Sequence, residues 1–138
     1  SDLRLDGGLM DLAFHHCALS VPDLAPAIAW YGEHLGFAEE FRFGYPGTEV
    51  AMLRRGALRI ELFCVAGSAP LPEGRSHPQG DVATQGNKHA AFAVPSLDAA
   101  LAELAGKGIE PVFVSREGVQ HIAFITDCFG NLIELVEA

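Results

Sequence analysis

The stretch HCALSVPDLAPAIA at residues 16–29 returns later in the chain as HAAFAVPSLDAALA at residues 89–102. Seven of the fourteen aligned positions are identical, and the two leading histidines stand 73 positions apart (89 − 16). The triplet Ile-Glu-Leu at residues 60–62 recurs at residues 133–135 with the same separation. Because one fixed separation returns in two distant blocks, we interpret the chain as two homologous halves.

The repeat divides the chain into two modules and two other segments. We place the modules at residues 13–66 and 87–138, after an N-terminal extension at residues 1–12. The linker at residues 67–86 is rich in Pro, Gly and Ser and is long for a loop inside a small domain. Such a linker permits the halves to pair within one chain or across two chains, and we expect a homodimer.

Each half is predicted to form a strand, a helix and three further strands. The first strand, at residues 14–21 or 88–94, ends at Val-Pro, because proline cannot donate to a strand ladder. Asp23 and Ser96 follow as helix N-caps. The remaining strands are expected near residues 40–43, 48–53, 57–65, 111–115, 119–126 and 132–137. The pattern predicts an α+β fold of two βαβββ modules.

Composition restricts the possible partners and the compartment. Hydrophobic residues make up 49% of the 138 residues, which is typical of a globular domain. The net charge of −9 disfavours nucleic acid and anionic membrane surfaces as partners. No apolar run is long enough to span a bilayer, and the N-terminus lacks the pattern of a secretory leader. Three cysteines without close spacing indicate reduced thiols and a cytoplasmic location.

The repeat also pairs four side chains that can bind a metal. Each half has a histidine at the start of its first strand and a glutamate within its last strand: His16 and Glu61, then His89 and Glu134. Taken singly, such strand residues are usually structural or face water. Their duplication favours a shared site, because two imidazoles and two carboxylates that converge across a pseudo-twofold axis suit a divalent Zn, Ni, Co, Mn or Fe ion.

The same residues carry a family resemblance. The segments that carry it are HHCALSVPDLAPAIAWYGEHLGF (15–37), RIEL (59–62), KHAAFAVPSLDAALAELAGKGI (88–109) and DCFGNLIELVE (127–137). They resemble the vicinal oxygen chelate superfamily of glyoxalases, bleomycin-resistance proteins, epimerases and extradiol dioxygenases. The resemblance implies a cup-shaped, eight-stranded mixed sheet around a divalent metal, held by His16, Glu61, His89 and Glu134.

The resemblance implies a metal-dependent, glyoxalase-like lyase or isomerase. Its small substrate would present vicinal oxygens and react through an enediolate-type intermediate, with Glu61 or Glu134 as the general base. One alternative is an extradiol-type dioxygenase. The resemblance disfavours it, because extradiol enzymes hold their metal with two histidines and one carboxylate, whereas this chain has a second glutamate. The other alternative is a non-catalytic protein that binds a drug or metabolite.

Two positions disfavour a substrate derived from glutathione. Metalloglyoxalases that act on the glutathione hemithioacetal resemble this chain in their ligand set, but carry an arginine and an asparagine where Ser20 and Val65 stand here. We therefore expect a smaller or more apolar substrate. Apolar side chains lie near the ligand positions: Phe14, Phe63, Ile122 and Phe124.

Three further polar residues lie close to the ligand positions in sequence. Arg59 shares the strand face of Glu61, and it either binds a substrate carboxylate or covers the rim of the sheet. Alternation sends His15 to the face opposite His16. If the last hairpin turns over residues 128–130, Glu134 pairs with Phe124 and His121 lies off the metal-facing side of its strand, whereas a register shifted by one residue would turn His121 towards the metal.

Overall fold

The structure of the protein is a computed structural model and describes residues 8–138. Residues 1–7 of the predicted N-terminal extension lie outside the described residues. The predicted α+β fold is confirmed, and its eight strands form two four-stranded mixed sheets, one from each half. In each sheet the first strand runs parallel to the last strand of its half, and the other neighbours are antiparallel.

The elements follow the repeat. The first half contains β1 (Cys17–Ser20), α1 (Leu24–Leu35), β2 (Ala38–Tyr45), β3 (Thr48–Arg55) and β4 (Leu58–Val65). A 3₁₀ turn (Glu73–Ser76) and α2 (Pro78–Asp81) lie between the halves. The second half contains β5 (Ala90–Val94), α3 (Leu97–Gly106), β6 (Phe113–Ser115), β7 (Ile122–Thr126) and β8 (Leu132–Glu137). The sheet orders are β1-β4-β3-β2 and β5-β8-β7-β6.

The two long helices, α1 and α3, begin directly after the predicted capping residues Asp23 and Ser96. The side chain of Asp23 accepts a hydrogen bond from the Ala25 N–H at 3.3 Å, and Ser96 Oγ accepts one from Ala99 at 3.1 Å. Gly36 ends α1 with φ of 75°, a conformation that glycine adopts without steric cost. The first strands are shorter than predicted, because pairing with the last strands begins only at Cys17 and Ala90.

The linker at residues 67–86 is folded onto the second half. Asp81, at the end of α2, is only 2% exposed. Its carboxylate lies 2.7 Å from Arg75 Nε and 3.3 Å from Lys88 Nζ. Two cations around a buried carboxylate offset its loss of hydration, so this ion cluster holds the linker next to β5. None of the helices in residues 8–138 is long and apolar enough to cross a membrane.

A single apolar core is shared by the two halves. It is built from α1, α3 and one face of each sheet, with Ile60 and Leu62 from β4 and Ile133 and Leu135 from β8 among its buried members. Successive side chains of a strand point to opposite faces. The glutamates between these pairs therefore lie on the faces of the two sheets that point away from the shared core.

One buried hydrogen bond joins the halves through this core. Tyr31 of α1 donates its hydroxyl to Asp127 Oδ2 at 2.7 Å. Asp127, only 5% exposed, also accepts from the main-chain N–H groups of Phe129 and Asn131 in the turn between β7 and β8. Burial, followed by the charge of Asp127, raises the pKa of the Tyr31 phenol well above its usual range, so Tyr31 stays a neutral donor.

Replacing Tyr31 by phenylalanine will destabilise the fold. The substitution removes one hydrogen bond from a buried carboxylate, and we expect the free energy of unfolding to fall by about 1–3 kcal/mol. Urea titration followed by the fluorescence of the single tryptophan, Trp30, measures the loss. The matched control is Tyr45→Phe, whose ring is 55% exposed, and we expect it to change stability little. Equal losses in the two variants would contradict the role of the buried bond.

Candidate metal centre

The first histidine–glutamate pair forms where β1 lies beside β4. The parallel register places Ala18 opposite Glu61, so the residue before β1 is within reach of the glutamate. His16 Nε2 lies 3.3 Å from Glu61 Oε1, and the two side chains are 33% and 14% exposed. On the other side of the ring, His16 Nδ1 lies 2.8 Å from His15 Nδ1. The imidazole of His16 is therefore oriented from both of its nitrogens.

The second pair repeats this arrangement between β5 and β8. Ala91 lies opposite Glu134, and His89 Nε2 lies 3.0 Å from Glu134 Oε1. The ring of His89 packs edge-to-face on Phe124, with centroids 4.8 Å apart. Phe124 is the partner of Glu134 in the β7–β8 register, as the sequence predicted.

The orientations of two neighbouring histidines, His121 and His15, were predicted from strand alternation. His121 lies just before β7 with its Nδ1 3.5 Å from Glu137 rather than beside Glu134, which agrees with the predicted register. The expectation that His15 faces away from His16 was wrong, since their Nδ1 atoms are within hydrogen-bond distance. The physical reason is that both residues precede Cys17, where β1 begins, so strand alternation does not apply to them.

The geometry of each pair fits a metal ion. Two donor atoms that each lie about 2.1 Å from an ion, at a right angle to one another, are about 3 Å apart. The separations of 3.3 Å and 3.0 Å between Nε2 and Oε1 match this spacing. One nitrogen and one oxygen donor from each half suit a first-row divalent ion. The donor chemistry and the spacing therefore fit the predicted metal.

The structure brings the ligands together in twos rather than in one group. Within residues 8–138, no three side chains of His, Cys, Asp or Glu are grouped so that they would hold one ion. Both His16 and His89 lie on the wall of a cavity of about 490 Å³, which Phe14 and Arg75 also line. A site that uses all four predicted ligands therefore stays a prediction.

The face of the first sheet that carries Glu61 has exposed aromatic side chains along its edge strand, β2. Cross-strand register places Met52 opposite Glu61 and Phe41 opposite Met52, so all three share this face. Phe41 and Phe43 are stacked with centroids 6.1 Å apart, and each is 46% exposed. Phe63, predicted as a wall of the pocket, lies two residues from Glu61 and is half-buried.

Arg59 occupies the other side of Glu61 along β4 and belongs to an ion cluster. Its Nε donates to Glu40 at 3.1 Å, and Arg54, which lies opposite Arg59 in the register, donates to the same carboxylate at 3.0 Å. Hydrogen bonds from Arg59 and then Arg54 lower the pKa of Glu40, which stays ionised. The sequence did not reveal Glu40 or Arg54, because a register shift between Glu39 and Phe41 breaks the alternation of β2.

Two βαβββ modules, each with a histidine beside a glutamate on the outward face of its sheet, define a protein of the vicinal oxygen chelate class. The chain belongs to the Glyoxalase/Bleomycin resistance protein/Dioxygenase superfamily, whose family model matches residues 13–135. This membership confirms the resemblance seen in the sequence.

Individual relatives agree with this assignment. The Escherichia coli (strain K12) protein YaeR, described as uncharacterized, is 32% identical over 129 residues, which cover 89% of this chain and 94% of YaeR. The crystal structure of a glyoxalase family protein from Enterococcus faecalis has a TM-score of 0.73 and 26% identity, covering 91% of this chain and 97% of that one. The trypanothione-dependent glyoxalase I of Leishmania major shares the fold, with a TM-score of 0.70, 20% identity, and coverage of 92% and 87%.

Proposed function

We propose that this protein is a divalent-metal-dependent, glyoxalase-like lyase or isomerase that acts on a small substrate with vicinal oxygens. The observation that carries the proposal is the duplicated pair of His16 with Glu61 and His89 with Glu134, at 3.3 Å and 3.0 Å. Ligands for one divalent ion need both nitrogen and oxygen donors, and the two halves supply the same histidine and carboxylate at equivalent positions.

We propose further that a second copy of the chain completes each site. The two glutamates lie on sheet faces turned away from the core that the halves share, which favours pairing of one chain's first module with the partner's second module. Exposed aromatic side chains on the face of Glu61 would be covered in such a homodimer.

Different side chains would bind the metal, transfer the proton and exclude water. When bound, the divalent ion would supply a Lewis acid for the two vicinal oxygens of the substrate. His16 and His89 would hold it, and the contact with His15 would keep the ring of His16 in place. Either Glu61 or Glu134 would take the proton from the carbon beside the substrate carbonyl, because each carboxylate is half-buried next to the site and, within residues 8–138, its ion-pair partner is its histidine. Phe63 and Phe124 would exclude water.

The thiols support the predicted cytoplasmic location. Cys17, Cys64 and Cys128 are all free. Burial raises the pKa of the Cys17 thiol, which keeps it protonated and poorly nucleophilic. Thiols of this kind suit a reducing compartment, so we propose the cytoplasm.

A turnover assay with metal-stripped and metal-reloaded protein tests the proposed function. We expect turnover of a small α-hydroxyketone or α-ketoaldehyde panel only after reloading, and weak or no turnover of the hemithioacetal formed by glutathione and methylglyoxal. The reason is that Ser20 and Val65 offer no charged partner to the glutathione carboxylates, whose burial without a partner is costly.

Two results would contradict this expectation. A kcat/KM above about 10⁵ M⁻¹s⁻¹ for the hemithioacetal, which is ordinary for an enzyme on its own substrate, would restore a glutathione-dependent glyoxalase. Binding of panel compounds without turnover, unchanged in a Glu61→Gln, Glu134→Gln double variant, would instead indicate a binding protein.

A further inference from the structure

We propose that Arg59 and Arg54 bind a carboxylate of the substrate, so that the substrate is an aromatic or apolar vicinal-oxygen compound with an acidic group at its far end. This inference rests on the proposed metal site, because it takes the position of the vicinal oxygens from Glu61.

The strand geometry sets the spacing between the two subsites. Arg59 and Glu61 are two residues apart on β4 and lie on the same face of the sheet. A strand rises about 3.4 Å per residue, so their Cα atoms are about 7 Å apart. Arg54 lies directly opposite Arg59 on β3. The two guanidinium groups therefore stand together at one end of the face that carries Glu61.

The charge of this cluster is not balanced. Among the ion pairs of residues 8–138, the two guanidinium groups share the single carboxylate of Glu40, which leaves one positive charge at this place in a protein whose net charge is −9. A guanidinium has five N–H donors. Within residues 8–138, the hydrogen bonds of Arg59 go only to Glu40, from Nε and one terminal nitrogen. Donors therefore remain for a second carboxylate, which a guanidinium binds in a bidentate manner.

The region beside this cluster is suited to an aromatic or apolar body. Phe41 and Phe43 stack on each other, and nearly half of each ring is open to solvent. Phe63 continues the apolar surface on the far side of Glu61. A flat ring placed here would have its oxygens at Glu61 and its substituent directed to Arg59. The three features thus define one elongated subsite with a metal-binding middle and a cationic end.

Three catechols test the proposal, because their adjacent hydroxyls can chelate an ion while the opposite end of the ring is varied. We use 3,4-dihydroxybenzoate, its methyl ester and unsubstituted catechol as probes, and measure their affinities for the zinc-loaded protein by calorimetry. We expect the acid to bind at least about tenfold more tightly than the ester, since a hydrogen-bonded ion pair is worth more than a neutral contact.

The variants assign this preference to the cluster. Arg59→Gln should reduce the ratio of acid to ester affinity to about one while leaving the affinity for catechol unchanged, and Arg54→Gln should reduce the ratio in part. Arg42→Gln is the matched control, because Arg42 lies on β2 opposite Ala51, on the core side of the sheet, and pairs with Glu39. The control should keep the full preference.

The possible failures are distinguishable. Equal affinity of the wild type for the acid and the ester, with catechol binding still dependent on zinc, would overturn the carboxylate subsite and leave the proposed function standing. A preference reduced equally by Arg59→Gln and Arg42→Gln would also overturn it, since only overall charge would then matter. Binding of all three probes without any dependence on zinc would overturn the proposed metal site and this inference with it.

Discussion

Replacing His89 by alanine should reduce bound metal from about one ion per chain to less than a tenth of that value. The variant removes the nitrogen donor that lies 3.0 Å from Glu134 and leaves the carboxylate without its neighbour. A site that loses one of four protein ligands loses a large part of its affinity, because each ligand bond is replaced by a bond to water. Elemental analysis after dialysis against a zinc-buffered solution measures the content.

The control for this experiment is His77→Ala. His77 is exposed at the start of α2, and we expect its replacement to keep the full metal content. The same low, sub-stoichiometric metal content in the wild type and in His89→Ala would contradict the metal centre. Far-UV circular dichroism of each variant separates loss of the ligand from loss of the fold.

Mixing two inactive variants should restore metal binding and turnover to about a quarter of the wild-type level. One variant carries His16→Ala with Glu61→Ala, and the other carries His89→Ala with Glu134→Ala. If the sites lie between two copies, random exchange makes half of the dimers mixed, and each mixed dimer has one intact site and one empty site. Co-expression of the two chains with different tags allows the mixed dimer to be purified and its metal content measured directly.

The same mixture distinguishes the two ways in which the modules could pair. Modules that pair within one chain would give no recovery, because neither variant then contains a complete ligand set. A sedimentation experiment on the wild type is the companion measurement, and a monomer at micromolar concentration would also contradict the shared site. Recovery well above a quarter would require preferential formation of the mixed dimer, which the tags detect.

Several features of this fold were predictable because they depend on local chemistry. The side chains of Asp23 and Ser96 cap helices at the predicted positions, since an N-cap needs only an oxygen next to the free N–H groups of the first turn. The pairing of Glu134 with Phe124 followed from the short turn between β7 and β8. The repeat also predicted a histidine and a glutamate at equivalent positions of each half, and the two side chains of each pair lie in contact, while the grouping of all four stays a prediction.

Other features were decided only by tertiary structure. The contact between His15 and His16 depends on where pairing with β4 begins, and the position of Glu40 depends on a bulge in β2. The burial of Asp81 and the bond from Tyr31 to Asp127 join residues that local periodicity does not relate.

By itself the sequence determined two βαβββ modules with a histidine–glutamate pair in each, because strand alternation and capping act over a few residues. The direction in which those pairs face was decided by the core that the two halves share, since burial of apolar surface depends on which elements meet in three dimensions.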